Sequence, residues 1–388
     1  MNILIWEYKN FGIEDVKDAL GKMGHTYTCI TSELIRDRVN KDFDNLFETE
    51  FSKNHYDCVF TFNYCPIISN NCKCFNVPYI SFVYDSPLVT LYSYTILNPC
   101  NYIFLFDKTL YTELRSGGIS TVYYCPLAVN TDRLELMLSK PYGKSQYTSP
   151  ISFVGAMYNE KHNLFDRFKG LPDFVKGYLD GAMNAQIKVY GSYFIEDMLT
   201  PAIIDELQKC APAEPNKDGI ETASYLYAYY FIARKIAEKE RHQILDRLSH
   251  QFEVKLYTPA PTPELPHVNN MGPIDYYDTM PYIFNNSDIN LNISLRSIRS
   301  GIPLRCMDIM GAGGFLMSNF QADFYDFFIP GEDLVLYESQ EDLINKCSYY
   351  LSHDNERRQI AINGYNKIKE SHTYKVRLSE IFDIVFNS

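Results

Sequence analysis

Short apolar runs alternate with helix-length amphipathic stretches twice along this chain, and that alternation constrains the fold more than any other feature. Asn2-Ile3-Leu4-Ile5-Trp6 has the pattern of a buried strand. A loop, Glu7 to Gly12, precedes a helix expected over 14–23, closed by Gly24-His25, and residues 27–30 open a second strand. Strand, glycine-bearing loop, helix, strand is a βαβ unit. The alternation continues with strands at 56–62, 79–84, 102–106 and 121–124. A second series begins at Ile151-Ser152-Phe153-Val154-Gly155. It runs through helical stretches at 164–168, 174–183 and 222–250, and strands at 252–257, 288–294 and 314–318. The tail, 341–386, reads as helix interrupted near His353 and at Ser371-His372-Thr373. Strands separated by helices form parallel, doubly wound sheets. The fold class expected is therefore α/β, with two Rossmann-like domains facing across a cleft.

The expected boundaries are 1–134 for the first domain and 151–370 for the second. The polar stretch 135–150, with breakers at Lys140-Pro141-Tyr142-Gly143 and Ser149-Pro150, is the linker. Residues 371–388 form a last helix that packs back on the first domain. A length of 388 residues suits two domains. Ligands of such sheets bind outside the carboxyl ends of the strands, so the loops after strands are where a site is sought.

A net charge of −12 opposes a nucleic-acid partner, because tracking phosphates requires clustered cations. The 32 Tyr and 25 Phe beside a single Trp suit flat polar ligands such as sugars and bases, and equally suit ordinary cores. Ten cysteines in a chain of this length need not be a disulfide framework, and Met1 to Ile5 enter a strand rather than a long apolar leader. Reduced thiols in a cytoplasm are expected. Cys65, Cys72 and Cys74 lack a second pair at zinc spacing and read as buried small hydrophobes. No apolar run approaches the roughly 20 residues of a membrane helix, so membrane contact would be peripheral. Asp42-Phe43-Asp44 has divalent-metal spacing but sits in a helical stretch with no strand before it, and reads as a solvated helix face.

The segment from Ile274-Asp275-Tyr276-Tyr277-Asp278 through Asn286-Ser287-Asp288-Ile289-Asn290 to Ser300-Gly301-Ile302-Pro303-Leu304-Arg305-Cys306-Met307-Asp308 is the most informative. It resembles the C-terminal signature of GT-B glycosyltransferases, specifically the spore-maturation, CgeB-like group. Trp6 to Gly12 and Tyr84-Asp85-Ser86-Pro87 are similar to the uncharacterised domain usually fused in front of it, and His372-Thr373-Tyr374 with Arg377-Leu378 fits the group's tail. The resemblance implies a hexosyl- or N-acetylhexosaminyltransferase with a UDP-linked or similar nucleotide-sugar donor. The acceptor would be a protein, glycan or glycoconjugate, with no cofactor and no metal. Many retaining members carry Glu-x7-Glu in the donor loop, the first acid on the sugar and the second on the ribose. Here those positions hold Ser300 and Asp308, so the second acid survives, shortened by one carbon, and the first is absent.

Breaking an anomeric bond to a diphosphate requires donors aimed at the leaving oxygens, and a helix N-terminus supplies them. Gly301, Ile302, Pro303, Leu304 and Arg305 run into such a helix, and Arg305 is the candidate clamp; the plain alternative is pairing with Asp308. Asp308 is the candidate for the ribose hydroxyls. Gly311, Gly313 and Gly314 read as packing positions. Gly155, where the first strand of the second domain meets its helix, admits a phosphate or serves as a turn. Tyr257, Thr258, Ile274 and Asp275 are candidates for the base. Arg241 or Lys235 is a second phosphate candidate, against a solvated basic face between Arg234 and Arg247. In the first domain Glu7, Asn10, Phe11 and Gly12 lie past the first strand on the acceptor side. Asp85 is the candidate general base, or a turn residue before Ser-Pro. His25 reads as closing its helix.

Two other readings stay open: a non-catalytic nucleotide- or carbohydrate-binding envelope protein, and a nucleotide-sugar epimerase or phosphorylase on the same fold. A dinucleotide oxidoreductase is disfavoured, since no Gly-x-Gly-x-x-Gly follows either opening strand. The oligomeric state is not legible.

Overall fold

Two all-parallel sheets with buried central strands carry the architecture, and the computed structural model describes residues 1–140, 146–160 and 163–387. The first sheet comprises β1 (Asn2–Glu7), β2 (Thr26–Thr31), β3 (Cys58–Phe62), β4 (Tyr79–Val83), β5 (Asn101–Leu105) and β6 (Val122–Tyr124), in the order β2-β1-β3-β4-β5-β6. Every residue of β3 and β4 is buried, as expected of strands covered on both faces. Trp6 of β1 packs against Phe43 and Phe47, at ring separations of 4.9 and 6.1 Å. Those two residues form the buried face of the helix Lys41–Lys53, whose N-terminus is capped by the Asn40 side chain. Asp42 and Asp44 lie in its first turn, and Asp44 accepts a hydrogen bond from Asn71. Among the described residues no three His, Cys, Asp or Glu side chains converge as metal ligands, and the ten cysteines are free thiols. Among the described residues no helix is long and apolar enough to cross a membrane.

This first unit is assembled from Met1–Asn130, Pro215–Glu221 and His372–Ser388. The short middle segment is bound to its surroundings in the unit by several polar contacts. Asp218 accepts from Arg38 (2.8 Å) and from the Ser93 hydroxyl (2.9 Å), and the Ile220 amide donates to the Tyr92 carbonyl (3.0 Å). The buried Glu221 accepts from the backbone amide of Asn216 at 2.9 Å. The last helix, Tyr374–Phe386, packs on the helix Ile13–Lys22. The backbone N–H of His25 donates to Leu20 (3.0 Å) and closes that helix after Gly24, at φ +77°.

The second unit comprises Thr131–Glu214 and Thr222–Ser371. Its strands are β7 (Ser149–Val154), β8 (Val254–Tyr257), β9 (Asn269–Asn270), β10 (Ser287–Asn292), β11 (Leu316–Asn319) and β12 (Val335–Tyr337), in the order β12-β11-β10-β7-β8-β9. Between β7 and the helix Ala233–Ser249 the chain builds a helical insert with its own core, which includes Leu179, Ile203, Leu207, Tyr227 and Phe231. Gly155 therefore does not run straight into a helix; the next regular α-helix starts at Asp173. Gly314 is a packing glycine, since a Cβ there would lie 2.5 Å from the Phe284 carbonyl oxygen.

The divide falls between Asn130 and Thr131 rather than after 134. Residues Thr131–Leu138 form a helix of the second unit, with Leu134 buried and Glu135 paired with Lys369. The Met137 carbonyl accepts from the Tyr282 hydroxyl at 3.1 Å. Of the expected linker, Pro141, Tyr142 and Gly143 lie outside the described residues, and Ser149 already belongs to β7.

His372 begins the return to the first unit and is buried. Arg377 Nη2 donates to its Nδ1 at 2.9 Å, and burial together with that guanidinium pushes its pKa down to about 3. The folded ring is neutral while an unfolded one takes up a proton below about pH 6.5, so stability falls as pH drops through that range, by about 1.4 kcal/mol per unit. His372→Asn, which keeps an acceptor near Nδ1, is expected to flatten the stability–pH curve between pH 6.5 and 4.5. Urea unfolding at several pH values measures it; equal slopes in both proteins would refute the buried neutral imidazole.

Candidate active site

In the second sheet β7 has β8 on one side and β10 on the other, so the chain turns in opposite directions after β7 and after β10. Such a switch point opens a crevice at the carboxyl ends of the strands. Arg241, on the helix Ala233–Ser249, spans it. Its guanidinium donates to the carbonyl of Ala156, after β7, and to that of Ile293, after β10 (2.6 Å). The side chain lies 5.2 Å from the Phe153 ring centre and 4.8 Å from that of Tyr158. At 3% exposure it is part of the interior, which corrects the reading of a solvated basic face. Lys235, one and a half turns earlier, is paired with Glu238 at 2.8 Å.

Arg305 approaches the same crevice from the helix Leu304–Gly311. Pro303 is the residue before that helix, with extended backbone, rather than part of its first turn. The Arg305 guanidinium lies 5.5 Å from the Phe153 ring centre, and a Cβ on Gly155 would stand 2.6 Å from its Nη2. Gly155 is therefore a position of close approach. Its amide is tied to the end of β8 through the Tyr257 carbonyl at 3.0 Å. Among the described residues no carboxylate or other hydrogen-bond acceptor pairs with Arg305. Burial and the neighbouring Arg241 push its pKa down to about 10, which leaves it cationic at neutral pH. Two guanidiniums beside a helix N-terminus, neither hydrogen-bonded to a carboxylate, make a candidate anion site. Asp308 does not pair with Arg305; its Oδ1 accepts from the Tyr276 hydroxyl at 3.0 Å. Ser300, Gly301 and Ile302 are buried in the loop leading to this helix, and Leu304 is half-buried.

The remaining donor-side candidates divide. Tyr257 ends β8 and Thr258 follows it, both nearly fully buried, and their hydroxyls have no partner among the described residues. Burial, with Tyr147 nearby, pushes the Tyr257 phenol up to about 12. Ile274 is half-buried. Asp275 is occupied by its own turn: its Oδ1 accepts from the amides of Tyr277 and Asp278, both at 2.7 Å.

Sequence reasoning missed three contributors here. Ser297, in the loop after β10, holds another buried hydroxyl without a partner among the described residues. Glu240 and Arg296 form a buried ion pair, with Nε to Oε2 at 2.9 Å. Arg296 also donates to Ile187 O (3.2 Å) and stacks on Tyr190 at 3.6 Å. The pair fixes the loop after β10 to helix and insert alike, and its only sequence signal is an acid adjacent to Arg241.

The first unit has its own convergence, after β1, β3 and β4. Asn63, with left-handed backbone at φ +59°, accepts from the amides of Tyr84 (2.9 Å) and Asp85 (3.0 Å). Its Nδ2 donates to Asp85 Oδ2 at 2.8 Å, leaving that carboxylate oriented and exposed. Gly12, at φ +86°, precedes the helix Ile13–Lys22. A Cβ there would lie 2.5 Å from the Tyr374 hydroxyl, which in turn lies 2.6 Å from that of Tyr84. Glu7 accepts from Thr31, Asn10 is half-buried, and Phe11 is 65% exposed. Asn63, Tyr84 and Tyr374 belong to this cluster without having been singled out in the sequence.

These two units define the GT-B fold, a statement the comparisons with known proteins support. Residues 234–383, which include Arg241, Arg296, Arg305 and Asp308, match a family described as glycosyl transferase-like. The whole chain aligns with 99% of sucrose-phosphate synthase from Thermosynechococcus elongatus, at 10% identity and a TM-score of 0.60. It aligns with 99% of a glycosyltransferase from Rickettsia africae at 12% identity and 0.55. Anabaena HepE, solved in complex with UDP-glucose, aligns over all of both chains at 11% identity and 0.55. No curated protein matches the sequence.

Breaking the Glu240–Arg296 pair on one side leaves a buried charge uncompensated. Glu240→Ala is expected to destabilise the second unit by about 3–5 kcal/mol in chemical denaturation. A loss under about 1 kcal/mol would mean that Arg296 finds other partners at little cost.

Proposed function

We propose that this chain is a glycosyltransferase of the CgeB-like group, transferring a hexosyl or N-acetylhexosaminyl unit from a UDP-linked donor to a protein, glycan or glycoconjugate. The observation that carries the reading is Arg305, without a hydrogen-bonded carboxylate, beside Arg241, at the switch point and against the Gly155 backbone. Its chemistry fits a diphosphate. The Arg305 fork and the first amides of its helix take the phosphate oxygens and stabilise the charge that develops as the anomeric C–O bond breaks. Asp308 accepts from the ribose, with Tyr276 orienting it. The hydroxyls of Tyr257 and Thr258, together with Ile274, serve the base, and Ser297 and Ser300 the sugar. Asp85, oriented by Asn63, takes the proton of the attacking acceptor hydroxyl, and Glu7, Asn10, Phe11 and Gly12 contribute to acceptor binding. With arginines meeting the diphosphate, the reaction proceeds without metal or cofactor, in the cytoplasm or at the periphery of a membrane. The UDP and UDP-glucose complexes of HepE support the choice of nucleotide by analogy of fold.

Thermal unfolding with UDP, GDP, ADP and their sugars, in EDTA and in Mg²⁺, tests the proposal. A ligand at about 100 times its Kd stabilises the native state by roughly 2.7 kcal/mol. A UDP-selective shift, unchanged by EDTA and abolished in Arg305→Ala, is expected. Gly155→Ala is expected to stay folded and to weaken binding about tenfold by displacing the Arg305 guanidinium. Asp85→Asn is expected to keep the UDP shift and lose sugar transfer. A donor-specific shift with no transfer to any acceptor or water would instead identify a non-catalytic binder, and no shift at all would refute the donor site.

A further inference from the structure

At the β12 edge of the second sheet, on the same carboxyl end as the loops after β7 and β10, lies a cavity of about 670 Å³ that the donor site does not use. Two helices face it with matched spacing. Asn184 and Lys188 are four residues apart on and just past the helix Asp173–Ile187, and Gln243 and Arg247 are four apart on the helix Ala233–Ser249. Gln340, first residue of the helix Gln340–Ser352, joins them: its Nε2 donates to Gln243 (3.1 Å) and its carbonyl oxygen accepts from Arg247 Nη1 (3.1 Å). That bridge orients both side chains and spends only part of their capacity.

The hydrogen-bonding balance of the lining is one-sided. Among the described residues, the Lys188 ammonium, the Asn184 amide, Gln243 Nε2 and the second Arg247 nitrogen Nη2 have no protein partner, and all four side chains are open to solvent, so a ligand would replace water there. Against these donors the lining sets one carboxylate, Glu341, so the cavity is locally cationic in a chain of net charge −12. Tyr190 supplies a flat ring, held in place by Arg296 at 3.6 Å and by edge contact with Tyr337, the last residue of β12. Many donors, a net positive charge and a fixed aromatic ring are the recognition chemistry of a sugar bearing an anionic group.

We infer that this cavity is a second binding site, for an anionic saccharide, distinct from the donor crevice. The anion meets Lys188 and Arg247, the hydroxyls meet Asn184 and Gln243, and a sugar face lies on Tyr190. Arg296 belongs to the loop after β10, so an occupant of Tyr190 stands one side chain from the donor loop.

Isothermal titration of the full chain with tetragalacturonate, glucose 6-phosphate, neutral maltotetraose and inorganic phosphate tests this site. Binding of tetragalacturonate or glucose 6-phosphate is expected, and which of them binds identifies the anion as carboxylate or phosphate. Lys188→Ala with Arg247→Ala is expected to weaken that binding about tenfold or more, and Tyr190→Ala to weaken it while leaving phosphate unaffected. Arg305→Ala should leave it unchanged, so failure here and failure of the donor reading are separable. No binding by either anionic sugar, equal binding of maltotetraose or of phosphate alone, or an undiminished affinity in the double variant would each overturn the inference.

Discussion

The second unit depends on a buried cation whose hydrogen bonds go to main-chain carbonyls rather than to a carboxylate. Arg241 donates from its two terminal nitrogens to main-chain carbonyls, and those carbonyls belong to the two loops that part at the switch point. A hydrogen bond to a charged group contributes more than a neutral one, and removing its donor would leave two carbonyls unsatisfied in the interior. The side chain thus ties the two loops together without a hydrogen bond to any carboxylate. Arg305 adds a second charge from another element, and each arginine disfavours the other. An anion relieves that repulsion, so the crevice gains most from a ligand of high charge density.

Around this centre the supporting contacts follow one plan: polar groups of the interior are spent on the backbone of functional loops. Glu240, next to Arg241, reaches Arg296 and so secures the loop after β10. Asn63 does the same in the first unit, holding the backbone of Tyr84 and Asp85 with one side-chain oxygen. Asp275 folds its own turn. Loops built this way are positioned by the scaffold rather than by the ligand, which lowers the ordering cost of binding.

The strands and their parallel order were legible because buried parallel strands are continuous apolar runs, as in Cys58–Phe62 and Tyr79–Val83. The loop at the candidate anion site was legible as glycine and proline leading into an arginine-bearing helix. What could not be read is what depends on distant partners. Nothing local distinguishes the buried Arg241 from the solvated Arg234 and Arg247 on the same stretch, because their fates are decided by carbonyls 52 and 85 residues away. The turn that engages Asp275 Oδ1 likewise has no signal beyond the acid itself. Asn63 and Arg296 carry no motif at all, and the helix Thr131–Leu138 was divided between first domain and linker because a single buried leucine gives a weak pattern.

The first unit is not one continuous piece of chain. It takes 130 residues from the start, seven from the middle, Pro215–Glu221, and the helix Tyr374–Phe386 from the last stretch. During synthesis its sheet can form early, but the helix Ile13–Lys22 lacks its packing partner until residues 374–386 have left the ribosome. For that interval an apolar helix face and the bed for His372 stand open to water, the state in which nascent chains recruit chaperones or aggregate. A polypeptide ending at Asn130 would make that transient condition permanent.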